Sequence, residues 1–147
     1  MKSKKYRQGI FIVAYARTGK GIEYLILKRK LHWNGWEFPK GKIEKKETKE
    51  KTAKRETKEE TGLKIIKIRK FNVSGKYLYH KRLPDRPGLI GQTFSLFSAE
   101  VKKGKIKLDK KEHNNYKWLD FKKAIKKLTW EDQRKCLKVV DNFLKNK

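Results

Sequence analysis

Glu44, Glu47, Glu50, Glu56, Glu59 and Glu60 crowd into one short window of a chain otherwise dominated by lysine. The sequence carries 42 Lys+Arg against 16 Asp+Glu, a formal net charge of +26, so this acidic window answers a local demand. With Glu47 to Thr61 read as a helix and Gly62 as its C-cap, Glu56, Glu59 and Glu60 stand at i, i+3 and i+4 and project from one face. Only Ala53 between Thr48 and Thr61 is apolar, so burial of a hydrophobic stripe does not account for such a helix. Two readings remain. One is a solvated helix stapled by Glu–Lys pairs. The other is a set of converging carboxylates whose repulsion is relieved by a hard divalent cation, magnesium first and manganese as the other candidate. Such an ion polarises a phosphoryl oxygen, lowers the pKa of a bound water and stabilises charge on a leaving oxygen.

The rest of the chain bounds what surrounds this helix. A length of 147 residues, 36% of them hydrophobic, suits one domain spanning residues 1–147, and 12% aromatic residues argue for a packed interior. Cys136 is the single cysteine, and His32, His80 and His113 lie too far apart for a zinc knuckle. The apolar run Ile10 to Ala16 is too short for a signal h-region or a membrane span, which leads to the expectation of a cytoplasmic protein with no membrane partner. The positive charge raises the local concentration of polyanions, or it reflects a lysine-rich composition with a solvated surface. Oligomeric state is left open.

Ile10 to Ala16 and Glu23 to Lys30 read as two strands joined by a turn around Gly19 and Gly21. Leu31 to Gly41 reads as a loop with a short extended piece. Leu63 to Val73 and Gly91 to Val101 read as further strands, with a loop at Leu83 to Gly88 between them, and Tyr116 to Leu119 as a short one. Helices are expected to start near Asp120 and Thr129. Thr129-Trp130-Glu131-Asp132 has the form of a capping box, and Cys136, Leu137, Val140, Phe143 and Leu144 make one apolar stripe, which is core.

The residues flanking the glutamates decide between the two readings of the helix. Gly41 is followed after five residues by Glu47, after seven more by Arg55-Glu56, then by Glu59-Glu60 and Gly62-Leu63. This spacing resembles the Nudix box, Gly-x5-Glu-x7-Arg-Glu-u-x-Glu-Glu-x-Gly-u with u aliphatic, and departs from it only at Thr57. The resemblance implies an α/β (α+β) fold, a mixed β-sheet sandwiched between α-helices, and magnesium-dependent cleavage of a pyrophosphate linkage. It implies that Glu56, Glu59 and Glu60 are metal ligands or the base that activates water. The Gly41 carbonyl would complete the metal shell, and Arg55 and Glu47 would form a structural pair.

Further likenesses bear on the substrate. Trp36-Glu37-Phe38-Pro39-Lys40-Gly41-Lys42 is similar to a segment of the family's diadenosine tetraphosphate hydrolases and RNA-end-processing branches, which implies that Lys40 and Lys42 flank a phosphate chain. Ile90-Gly91-Gln92 resembles a strand of both groups. Glu112-His113 with Trp118-Leu119 resembles a segment of the diadenosine tetraphosphate hydrolases in which the acidic residue faces the metals, so Glu112 is the candidate for a fourth carboxylate. Tyr77, Tyr79, His80, Lys81 and Arg82 combine rings that could stack a base with cations that could hold phosphates; a core role for one of the tyrosines is the competing reading. Three functions follow. Hydrolysis of a nucleoside polyphosphate such as a dinucleoside polyphosphate ranks first. Removal of pyrophosphate or a cap from RNA 5′ ends ranks second, and a non-catalytic RNA-binding module third.

Overall fold

A computed structural model describes residues 5–79 and 81–146. In chain order these form β1 (Lys5–Thr18), β2 (Gly21–Arg29), β3 (Gly35–Glu37), β4 (Lys40–Lys42), α1 (Lys49–Thr61), β5 (Ile65–Leu78), β6 (Leu89–Val101), β7 (His113–Leu119), α2 (Phe121–Lys127) and α3 (Glu131–Lys145). The strands make one seven-stranded mixed sheet of order β3-β2-β1-β6-β5, with β4 paired to β1 and β7 to β2. The β1–β6 pairing is parallel and the others are antiparallel.

β1 is apolar on both faces because both are covered. Phe11, Val13 and Tyr15 join Tyr24, Ile26, Phe94 and Leu96 in a cluster closed by α2 and α3 through Ala124, Leu137, Val140 and Leu144. Ile10, Ile12 and Ala14 join Leu25, Leu27, Phe97 and Ala99 in a second cluster closed by Ala53 of α1 and by Leu63. The sheet is thus held between helices, as the resemblance implies. Among the described residues no helix is long and apolar enough to cross a membrane.

The expected hairpin forms, with Thr18 opposite Gly21 in the β1–β2 register. Elsewhere the boundaries shift in both directions. β1 begins at Lys5, within the basic start, because its early residues pair with Leu89 to Thr93 of β6. β5 runs past Val73 to Leu78, so Tyr77 sits on a strand. α1 starts at Lys49, with the Thr48 side chain accepting from the Lys51 N–H, and Gly62 ends it at φ +72°.

The capping box expected at Thr129 does not form. Trp130 is the N-cap of α3 and makes no side-chain cap bond. The Thr129 hydroxyl oxygen instead accepts from the Trp36 N–H at 2.9 Å and so ties β3 to the α2–α3 junction. A tertiary acceptor role has displaced the local one.

Candidate functional site

α1 turns an unusual face to the protein. Its buried residues are Thr52, Ala53, Thr57, Glu60 and Thr61, so hydroxyls and a carboxyl stand where a helix normally presents aliphatic groups. Thr57, in the position where the box has an aliphatic residue, is fully buried, its hydroxyl donating to the Ala53 carbonyl at 2.7 Å. That bond satisfies the polar group and lets the turn pack.

Arg55 knits the start of the site. Its Nε donates to Glu47 Oε2 at 2.7 Å, its Nη2 to Glu47 Oε1 and the Lys42 carbonyl at 2.9 Å each, and its Nη1 to Glu56 Oε1 at 2.6 Å and Glu59 Oε2 at 3.2 Å. Glu56 lies directly over Gly41, where a Cβ would come within 2.1 Å of the Glu56 Cδ. Burial pushes the Glu56 carboxyl up to about 7 against the pull of Arg55, with Glu59 and Glu112 adding to the rise. Glu59 projects outward, its side chain 57% exposed.

Glu60 points the other way, into the protein, and is 1% exposed. Its Oε1 accepts from the Lys40 N–H at 3.0 Å, while its Oε2 has no hydrogen-bond partner and lies 3.9 Å from His113 Nδ1. Burial, then the negative charges of Glu112, Glu37 and Glu56, hold this carboxyl well above the usual range. Among the described residues no three acidic, histidine or cysteine side chains form a closed metal cluster, and Arg55 stands against Glu56 and Glu59. The donor set nevertheless suits a hard cation. It offers several carboxylate oxygens, one buried and unpartnered, on groups whose mutual repulsion a positive ion would relieve.

Behind these glutamates lies a buried ionic network. Glu37, fully buried, receives Arg29 Nη1 at 3.1 Å, stands 2.7 Å from His113 Nε2 and is paired with Lys40 Nζ at 3.2 Å. Arg29 Nη1 also reaches Glu112 Oε1 at 3.2 Å, which places Glu112 beside the cluster. Glu112 and Lys40 were expected from the sequence; Arg29, Glu37 and His113 were not. Glu37 is part of the quoted Trp-x-Phe-Pro-Lys-Gly segment, and a charged residue inside such a run of apolar and turn residues is the one signal that could have marked it.

Lys40 also floors a cleft of about 460 Å³ lined by Trp33, Tyr77, Tyr79, Lys81, Arg86 and Trp130, among others. Its ammonium lies 5.6 Å from the Trp33 ring centre and 5.8 Å from that of Tyr77. Trp33 and Trp130 meet edge to face at 5.1 Å, and the Tyr79 hydroxyl oxygen accepts from Arg86. A second groove of about 520 Å³, with Arg7, Lys42, Lys111 and Glu112 in its walls, shares Arg86 with the first. Tyr77, Tyr79 and Lys81 therefore come together around the aromatic cleft, and Lys42 belongs to the second groove, where Asp85, Asp109 and Glu112 stand among the cations. Arg82 is exposed and borders neither, and His80 lies outside the described residues.

The chain is similar to known proteins along almost its whole length. The family model for the Nudix domain matches residues 5–140. An RNA pyrophosphohydrolase of Nitratiruptor sp. is 32% identical over 151 residues, covering 99% of this chain and 97% of that protein. Among solved structures, a C. elegans Ap4A hydrolase binary complex superposes with a TM-score of 0.76 at 23% identity, covering 96% of this chain and 99% of the other. The E. coli dihydroneopterin triphosphate pyrophosphohydrolase does so with a TM-score of 0.73 at 26% identity, covering 91% and 95%.

Proposed function

This chain belongs to the Nudix domain family, and we propose that within it the protein is a divalent-metal-dependent pyrophosphohydrolase acting on the polyphosphate at RNA 5′ ends. One observation carries the reading. Lys40 belongs to both halves of the site, its side chain flooring the aromatic cleft and its N–H bonded to Glu60 at 3.0 Å. A nucleobase stacked in that cleft has its 5′ phosphates directed at the carboxylates.

Glu56, Glu59, Glu60, Glu112 and the Gly41 carbonyl are the groups that would hold magnesium or manganese. Such an ion supplies neutralisation of phosphate charge and a bound water of lowered pKa. Glu59, the most exposed of the three glutamates Glu56, Glu59 and Glu60, would be the group that accepts a proton from an attacking water as the water oxygen bonds to phosphorus and the bridging oxygen leaves. Arg55 holds Glu56 and Glu59 at a fixed spacing. Trp33, Tyr77 and Tyr79 stack the base, and Arg7, Lys42, Arg86 and Lys111 line the path of the phosphates.

Sequence motifs alone rank dinucleoside polyphosphates first. The near-full-length similarity to a protein named RNA pyrophosphohydrolase reverses that order. The second groove, joined to the aromatic cleft at Arg86, favours the same order, because it offers a chain longer than one nucleotide room to continue past the cleft. The dinucleotide reading keeps one observation in its favour, Glu112 held by Arg29 beside the other glutamates.

The test is to incubate the protein with magnesium and either 5′-triphosphorylated RNA or diadenosine tetraphosphate and to separate the products. The RNA is expected to emerge 5′-monophosphorylated. Intact RNA with cleaved dinucleotide supports the second reading, and no cleavage of either overturns both.

A further inference from the structure

We propose that Glu37 is the positioning residue of this site, a buried carboxylate that sets Lys40, Glu112 and Glu60 relative to one another. The inference rests on the carboxylate site proposed above. Those three residues come from different parts of the chain: Lys40 opens β4, Glu60 lies on α1, and Glu112 precedes β7. No element holds them together by itself. Glu37 reaches each one, Lys40 directly at 3.2 Å, Glu112 through Arg29 at 3.1 and 3.2 Å, and Glu60 through His113 at 2.7 and 3.9 Å.

Energetics favour a geometric role over a stabilising one. Glu37 and Arg29 are at most 2% exposed, and withdrawing such charges from water costs several kcal/mol per ion, which their attraction only roughly repays. Packed apolar residues of the same volume would hold β2, β3 and β7 together as well. What the ionic arrangement adds is direction. A carboxylate at Glu37 only accepts, so His113 presents Nε2–H to it, which orients the ring with Nδ1 facing Glu60 Oε2 at 3.9 Å. The Glu37 carboxylate also keeps the Lys40 ammonium at the floor of the cleft, beneath the rings of Trp33 and Tyr77.

The full chain is tested in three ways, two of which need no substrate. Imidazole 15N spectra of the wild-type protein should place a His113 proton on Nε2; a ring without a proton on Nε2 overturns the inference. Magnesium titration by calorimetry should show affinity falling by roughly tenfold or more in Glu37→Gln, the usual effect of removing a residue that orients ligands. In hydrolysis, kcat should fall by a similar factor while KM changes by less than about threefold, measured well below the unfolding midpoint of either protein. Should Glu37→Gln fail to fold, Glu37→Asp, which keeps the charge but retracts it, is expected to show the same losses. A folded variant with wild-type magnesium affinity and kcat overturns the inference. If no substrate is hydrolysed at all, the functional reading fails, and the tautomer and magnesium affinity still decide the role of Glu37.

Discussion

Arg55 meets Glu47 across two hydrogen bonds, Nε to Oε2 at 2.7 Å and Nη2 to Oε1 at 2.9 Å, and so closes the loop that leads into the carboxylate helix. The same guanidinium reaches Glu56, Glu59 and the Lys42 carbonyl. A lysine carries the charge but lacks the planar fork that makes these contacts at once. Arg55→Lys is expected to destabilise the protein by about 1–2 kcal/mol, because the pair is partly exposed, and to lower turnover more steeply than stability. Chemical denaturation and steady-state kinetics on the same preparation check this. An unchanged rate would show that Arg55 does not hold the glutamates in place.

Gly41 offers a second comparison of stability with activity. A methyl there would overlap Glu56 Cδ and Cγ at 2.1 and 2.2 Å, and the largely buried Glu56 side chain can give way only by leaving its bond to Arg55. Gly41→Ala should cost about 1–3 kcal/mol of stability, the usual range for an overpacked site. Turnover should drop by roughly a hundredfold, since the displaced carboxylate no longer faces the reacting centre. Thermal melting alongside kinetics makes the comparison.

Glu59→Gln removes a charge from an exposed position, so the fold should be unaffected while turnover falls by roughly a hundredfold or more. A near-normal rate in this variant would remove Glu59 from the mechanism.

Acid stability reports on the buried network. Burial pushes the Glu37 carboxyl up, but Lys40, the His113 bond and Arg29 together outweigh it and hold the group at about 2, below the ordinary glutamate value of about 4.3. A group with a depressed folded-state pKa stabilises the protein above its unfolded value and loses that contribution as pH falls through the folded one. Stability should therefore decline from about pH 4.5 toward pH 2. The decline should be shallower in Glu37→Gln, as urea denaturation across that range would reveal.

The parts of the molecule legible in the sequence are those set by local chemistry. The Gly62 cap and the Gly19–Gly21 turn each depend on residues a few positions apart, and each formed, whereas the i, i+3, i+4 glutamates share the helix but not one direction, Glu59 facing outward and Glu60 the interior. The buried network was not legible, because Arg29, Glu37 and His113 are brought together only by the pairing of β2 with β3 and β7. The failed capping box has the same origin. Thr129 fits the local pattern, but Trp36, distant in sequence, takes its hydroxyl. Tyr77 and Tyr79, grouped from the sequence with Arg82, line the cleft with Trp33 and Trp130, whose approach depends on the tertiary fold.

Everything proposed about chemistry depends on a divalent ion bound by α1. The most direct measurement is a magnesium titration of the full chain followed through the side-chain carboxyl 13C resonances of its glutamates. Saturable shifts confined to Glu56, Glu59, Glu60 and Glu112, with Glu23 and Glu131 unmoved, are the expected result. Unperturbed carboxyls on α1 at a magnesium concentration that supports hydrolysis would contradict the account.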